Sequence, residues 1–308
     1  MLVAMTLENP TPEQLERMRE ELKEDANCMK QQVAHLRHWL SKQPHLPQHM
    51  EDARLERFLY GCKLDVARTK RVLDTYYTVR SSVPEFFADR DSISLRAQQC
   101  ICTVDYIPLP VLTPNGYRAT LLRIRDSNPD KFDVRSLTTR ILNSLDLRML
   151  LEERCLNNIM LIDLQNFTMA HYSKLSPTHA LSRKALLCIQ DAFPLRLAEV
   201  HFLNAPSVIG NIMNLFRPFL KEKLFRKFHF HTGPEFDSLY PHVPRSALPS
   251  DYDRWNDRLE NMRTWFLEEQ KISKSDESRR PPGSRGFSAS ALAQGVEVHG
   301  TFRQLSID

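Results

Sequence analysis

The stretch Phe193 to His231 constrains this chain most, because it fixes a strand, a helix of unusual composition and a basic turn in succession. Leu197 to Leu203 is apolar and β-leaning, bounded behind by Pro194 and ahead by Asn204-Ala205-Pro206. Pro206 suits the first turn of a helix, where its missing N–H costs nothing. Val208, Ile209, Ile212, Met213, Leu215, Phe216, Phe219 and Leu220 then cover well over half of the helix circumference. An ordinary surface helix carries one apolar stripe. A helix of this kind lies between the core and something else apolar. Behind it come Lys221, Lys223, Arg226 and Lys227, with Arg217 one turn earlier and only Glu222 against them. Their net +4 equals the formal charge of the whole chain. An apolar helix ending in a cationic collar fits contact with a membrane and its anionic headgroups. A core helix with a solvated charged end fits the same residues.

The rest of the chain is close to charge balance, so the collar is local and no general nucleic-acid signature is present. An apolar content of 42% and a charged content of 26% are those of a soluble globular protein, and 308 residues hold one large domain or two ordinary ones. No apolar run approaches the roughly 18–20 residues of a bilayer span, and no signal-peptide pattern opens the chain. The six cysteines are scattered without a C-x-x-C pair, which predicts buried, reduced thiols in the cytosol.

Taken in order, Thr11-Pro12-Glu13-Gln14 is a helix start with the elements of a capping box. Leu15, Met18, Leu22, Met29, Val33, Leu36 and Leu40 then predict one long amphipathic helix ending before Pro44. A short helix around Leu55, Phe58 and Leu59 follows, and a third is capped by Asp65 and stopped by Pro84. The expectation is an N-terminal three-helix bundle over residues 10–92. From about residue 97 strands alternate with helices: strands at Ile101–Ile107 and Tyr117–Ile124 flank the Asn115-Gly116 turn, Asp133–Glu152 is a helix and Ile159–Leu164 a strand. Ser176–Ala192 is a helix, Lys227–His231 a last strand and Trp255–Gln270 a last helix. This alternation predicts an α/β domain over 97–268 with a mostly parallel sheet and crossover helices. Lys271 onward is polar and rich in Ser, Arg, Gly and Pro, so residues 269–308 are expected to be a mostly disordered tail.

The bundle, the Leu161-Ile162-Asp163-Leu164 strand, Phe193-Pro194-Leu195-Arg196 leading to His201-Phe202-Leu203-Asn204-Ala205-Pro206, and the Arg217-Pro218-Phe219-Leu220 run together resemble the CRAL-TRIO lipid-binding family. Leu248-Pro249 with Asp251-Tyr252 fits as well, and the likeness, covering roughly residues 12–268, is nearest the α-tocopherol transfer protein group. The resemblance implies a hydrophobic cavity between the sheet and a mobile gate helix, Pro206–Leu220, holding one lipid. Its lining and gate would include Ile162, Leu164, Val208, Ile209, Ile212, Met213, Phe216, Phe219 and Leu220. It also implies phosphoinositide binding at Arg196, Lys223 and Lys227, with Arg217 a neighbour. Departures from the family pattern are Ala198 at a further basic position, Tyr60-Gly61 for an Arg-Ala pair, Asn166 for a glycine, and Ala170 where tocopherol-binding relatives carry a hydroxyl. Asn166 is expected to keep the bend through a positive φ.

Catalytic signatures are missing: no G-x-S-x-G, H-E-x-x-H, Walker-type loop or dinucleotide fingerprint occurs. Cys62 and Arg68 have the Cys-x5-Arg spacing of a tyrosine phosphatase, but without the glycines that loop needs. His229 and His231 share one side of a strand; a metal would need a third ligand that the sequence does not supply, so partly exposed strand histidines are expected. No enzyme, metal or cofactor is therefore expected. The expectation is a monomeric, cytoplasmic lipid-transfer protein acting peripherally at membranes, the alternative being a phosphoinositide-reading module without cargo transfer.

Overall fold

The computed structural model describes residues 6–23, 26–151, 155, 157–220, 222–232, 237–248 and 254–283. Helix α1 (Pro12–Leu22) begins with the capping box, Thr11 and Gln14 bonding each other's backbone N–H. It ends at Lys23, held at φ 50°, so the single long helix expected up to Pro44 is instead two. The α1 helix lies on the β-hairpin, where Gln14 and Arg17 donate to the carbonyls of Thr113 and Pro114. The three bundle helices are α2 (Ala26–Ser41), α3 (Asp52–Gly61) and α4 (Val66–Ser82, capped by Asp65), extended by the turn α5 (Pro84–Phe87). Leu36, Leu40, Leu55, Phe58, Leu59, Leu73, Tyr76 and Tyr77 form their shared core.

Residues 101–103, expected to begin a strand, close helix α6 (Leu95–Thr103), because Ser94 caps it by accepting from Ala97 N–H. Strand β1 (Val104–Leu112) then pairs antiparallel with β2 (Arg118–Ile124) across a turn in which Gly116 takes φ 74°. Helix α7 (Val134–Leu150, capped by Asp133) leads to β3 (Asn158–Asp163); α8 (Met169–Leu175) and α9 (Ala180–Asp191) lead to β4 (Leu197–Leu203). Helix α10 (Ile209–Phe216), a 3₁₀ turn (Arg217–Phe219) and α11 (Glu222–Phe225) lead to β5 (Phe228–Phe230). The five strands stand in the order β1-β2-β3-β4-β5, with every pair after the first parallel. The fold class expected from the sequence is thus present.

Side-chain alternation gives the sheet two faces. One carries Met160, Ile162, Val200 and Phe202 towards α10; the other carries Leu109, Ala119, Leu121, Ile159, Leu161 and Leu203 towards Leu239, Val243 and Ala247. The last helical stretch is split into α12 (Arg254–Asn261) and α13 (Arg263–Ile272).

Within the tail expected to be mostly disordered from residue 269, the polar segment directly after α13 is ordered. Ser275 and Asp276 donate backbone N–H to Tyr77 and His45 carbonyls, and Arg280 grips Asp74 through two bonds of 2.8 and 3.0 Å. Hydrogen bonds, which composition does not register, hold residues 273–283 on α4. The remainder of that tail lies outside the described residues, as do Pro249, Asp251 and Tyr252.

Candidate functional site

Helix α10 starts at Ile209 and not at Pro206, because Asn204 turns the chain at φ 50° and residues 207–208 form a turn. Asn204 is pinned by its Nδ2 donating to Asp163 Oδ1 at 2.8 Å. That carboxylate also accepts from Gln165 N–H, so Asp163 finishes the strand end. Asn166 does not take a positive φ; it holds the bend by donating to the Ile124 and Arg125 carbonyls. The helix lays Ile209 and Ile212 down as buried residues, with Met213 and Phe216 half-buried beside them. They meet Leu164, Val200, Phe202 and Ala205, with Ile162 at the margin. Tyr172 of α8 meets Phe216 edge-on at 5.9 Å, and Phe202 stacks on Phe230 of β5 at 5.2 Å. Val208, predicted to lie inside, is 48% exposed, and Phe230 43%, so apolar surface faces solvent at this end of the sheet. Leu220 is half-buried, and the side chain of Phe219 lies outside the described residues.

The structure gathers three of the four predicted cations. Burial lowers the Lys227 pKa, and Lys63, Lys223 and Arg196 add to the shift. Its ammonium donates to the Leu197 carbonyl. Arg196 is lowered chiefly by burial, with Arg68 pushing the same way and Glu21, 4.0 Å away, opposing. Arg217 is engaged elsewhere: it pairs with Glu222 at 3.0 Å and lies over the Phe225 ring. Lys63 and Arg68 were not anticipated. Lys63 leaves the turn after α3 at φ 58°, directly beyond Tyr60-Gly61, where the sequence implied a lost cation. Gly61 itself lets α3 touch the chain before β4, since a Cβ there would fall 1.9 Å from the Pro194 carbonyl oxygen.

The CRAL/TRIO domain model matches residues 106–253, and a Pinta-like, UBA domain model matches residues 25–95. Alpha-tocopherol transfer protein-like from Homo sapiens is 30% identical over 244 residues, covering 79% of this chain and 70% of that protein. The chain belongs to the CRAL/TRIO family. Clavesin-2 from Homo sapiens is 28% identical over 246 residues, covering 79% of this chain and 74% of its own. The solved structure of Sfh5 is 13% identical, with the match covering 81% of this chain and 99% of that one at a TM-score of 0.47.

Within this CRAL/TRIO chain the phosphatase-like Cys62 is buried at the end of α3, and burial raises its thiol pKa, the reverse of what a nucleophile needs. The cysteines are thiols and not disulfides. Among the described residues no helix is long and apolar enough to cross a membrane. On the sheet face opposite α10, the pairing of β4 with β5 sets His201 against His229, beside Glu199 and His242. His229 and His231 are thus separated: His229 meets Glu199 and His201 of β4, whereas His231 bonds Nδ1 of His201.

Proposed function

We propose that this chain binds one small hydrophobic lipid between α10 and the sheet and transfers it between membranes, docking through phosphoinositide headgroups. The bundle (10–92) and the lipid domain (97–268) act together in this reading. The observation that carries it is the gate contact: α10 is held on Phe202, Val200 and Leu164 by apolar side chains, with no side-chain cap at its start. Lipid tails satisfy such a surface as well as Ile209 and Ile212 do. The relatives named for tocopherol transfer support cargo carriage, and Arg196, Lys223 and Lys227, with Lys63 and Arg68 behind them, supply charge for phosphate groups.

Mass spectrometry of lipids released on denaturing the purified protein is expected to show one hydrophobic species near one equivalent. Liposome flotation tests the docking. Each cation near an anionic surface contributes about 1 kcal/mol, so the triple variant Arg196→Ala, Lys223→Ala, Lys227→Ala should bind about a hundredfold more weakly. The loss should be larger on phosphoinositide than on phosphatidylserine vesicles of equal charge. Equal loss on both reduces the site to diffuse attraction, and an empty protein removes the cargo.

A further inference from the structure

We propose that Glu199, His201 and His229, completed by His242, form a binding site for one divalent transition-metal ion of the zinc type. The site lies on the face of the sheet turned away from α10 and is independent of the lipid reading. Glu199 and His201 are two apart on β4 and so point to one side; His229 sits opposite His201 on β5. One ligand atom from each of these three residues lies within 4.8 Å of the other two; His242 falls outside that group, touching it through Glu199, and would swing inward to become the fourth ligand. Glu199 Oε2 is 2.9 Å from His201 Nε2 and 2.8 Å from His242 Nδ1. A tetrahedral ion with bonds of about 2.0–2.2 Å spaces its ligands about 3.3 Å apart, so those pairs need to spread by about half an ångström. Three imidazoles and a carboxylate are the borderline donors such an ion takes.

Two further features distinguish this from a cluster that is complete without an ion. The first is His229, which stacks on His201 at 4.7 Å between centroids, while among the described residues its ring nitrogens have no hydrogen-bond partner. The second is the support behind His201. Its Nδ1 lies 2.9 Å from His231 Nε2, whose Nδ1 lies 2.7 Å from Ser238 Oγ. Ligating histidines are normally oriented through their second nitrogen in this way. Without an ion, Ser238 donates to His231, His231 to His201, and His201 to Glu199. With an ion on His201 Nε2, the chain reverses and every imidazole stays neutral. Burial holds His201 as the neutral imidazole, pushing its pKa down to about 4. Burial alone would raise the Glu199 carboxyl, but bonds from His201 and His242 keep it below the usual carboxylate range. Bound there, the ion would tie β5, the strand that receives the chain back from α10 and α11, to β4 and to the segment carrying His242.

The test is zinc titration of the full chain, stripped with chelator and kept reduced, against a chromogenic competitor, followed by cobalt(II) absorption. One equivalent should bind at micromolar or tighter affinity and raise Tm, with cobalt d–d bands but no thiolate charge-transfer band. His229→Gln, a half-buried edge position chosen to spare folding, should weaken binding at least tenfold, and Ser238→Ala about tenfold through the second shell. Circular dichroism checks that both variants are folded. Unchanged stoichiometry and affinity in folded His229→Gln, a thiolate band with cobalt, or no binding at all each overturns the site.

Discussion

Two seams join parts of this molecule to the sheet domain, and they are built from opposite materials. The seam to the N-terminal bundle is buried and ionic. Asp146 of α7 accepts from Arg80 and Tyr76 of α4 at 2.7 and 2.8 Å and pairs with Arg90 at 2.7 Å. Arg54 of α3 links Tyr76 to Glu269 of α13. The seam under α10 has apolar contacts where the other has charges. Ionic contacts are directional and cost several kcal/mol when half broken, so they fix one geometry. Apolar contacts are non-directional. Uncovering Ile209 and Ile212 costs about 1.5–3 kcal/mol each in water, and nearly nothing if hydrocarbon receives them. The ionic seam therefore resists displacement, whereas the cost of displacing the apolar one depends on what lies outside it.

The largest effect should come from Asp146→Asn, which leaves Arg80 and Arg90 buried without their anion. A loss of about 3–5 kcal/mol in urea unfolding is expected. Its pH dependence follows. Burial alone would raise the Asp146 carboxyl, but Arg80, Arg90 and Arg54 outweigh it and hold the pKa below the usual range. The unfolded chain then binds the proton more readily, so this stability is complete above about pH 4 and is lost as pH falls further. In wild type the ionic seam should hold down to about pH 4, and Asp146→Asn should flatten the acid limb of the stability profile.

Gly61→Ala comes next. The new methyl would sit 1.9 Å from the Pro194 oxygen and 2.6 Å from its Cβ, so α3 or the Pro194 segment must move. Overpacking of this kind costs about 1–3 kcal/mol, against a helix-propensity gain of about 1 kcal/mol. Pro194 is two residues before Arg196, so the shift should also weaken phosphoinositide vesicle binding. A variant as stable as wild type, with unchanged binding, would mean that the bundle does not position that cation.

The two seams were unequally legible in the sequence. The apolar seam could be read because strand, proline and apolar helix follow one another locally, and Ile209, Ile212, Met213 and Phe216 do pack against the sheet. Its start was misplaced by three residues because Pro206 sits in the turn before the helix. The ionic seam was invisible: Arg80 and Asp146 look like solvated helix charges and Arg90 like a loop charge until α4 and α7 pack together. The histidine cluster needed the β4–β5 register, and the docked segment 273–283 is held by bonds to Tyr77, His45 and Asp74, distant in sequence. Periodicity reports burial. It does not report which buried polar groups meet.

The last prediction separates the seams by hydrogen exchange. If α10 opens on its own, its amides should exchange through an opening of lower free energy than those of α7, and with little urea dependence, because little surface is exposed. Asp146→Asn weakens the closed and the gate-open states equally relative to the unfolded chain. It should therefore accelerate α7 exchange and leave α10 unchanged. Ile212→Ala, whose side chain is buried in the closed gate, raises only the closed state towards both others. Because solvent-facing neighbours can settle into the gap, the cost should fall near about 1–2 kcal/mol, below the usual core range. Exchange should then rise about fivefold to thirtyfold in α10 and α7 alike. If Asp146→Asn accelerates α10 as much as α7, the gate opens only with the whole molecule, and the apolar seam is no separate hinge.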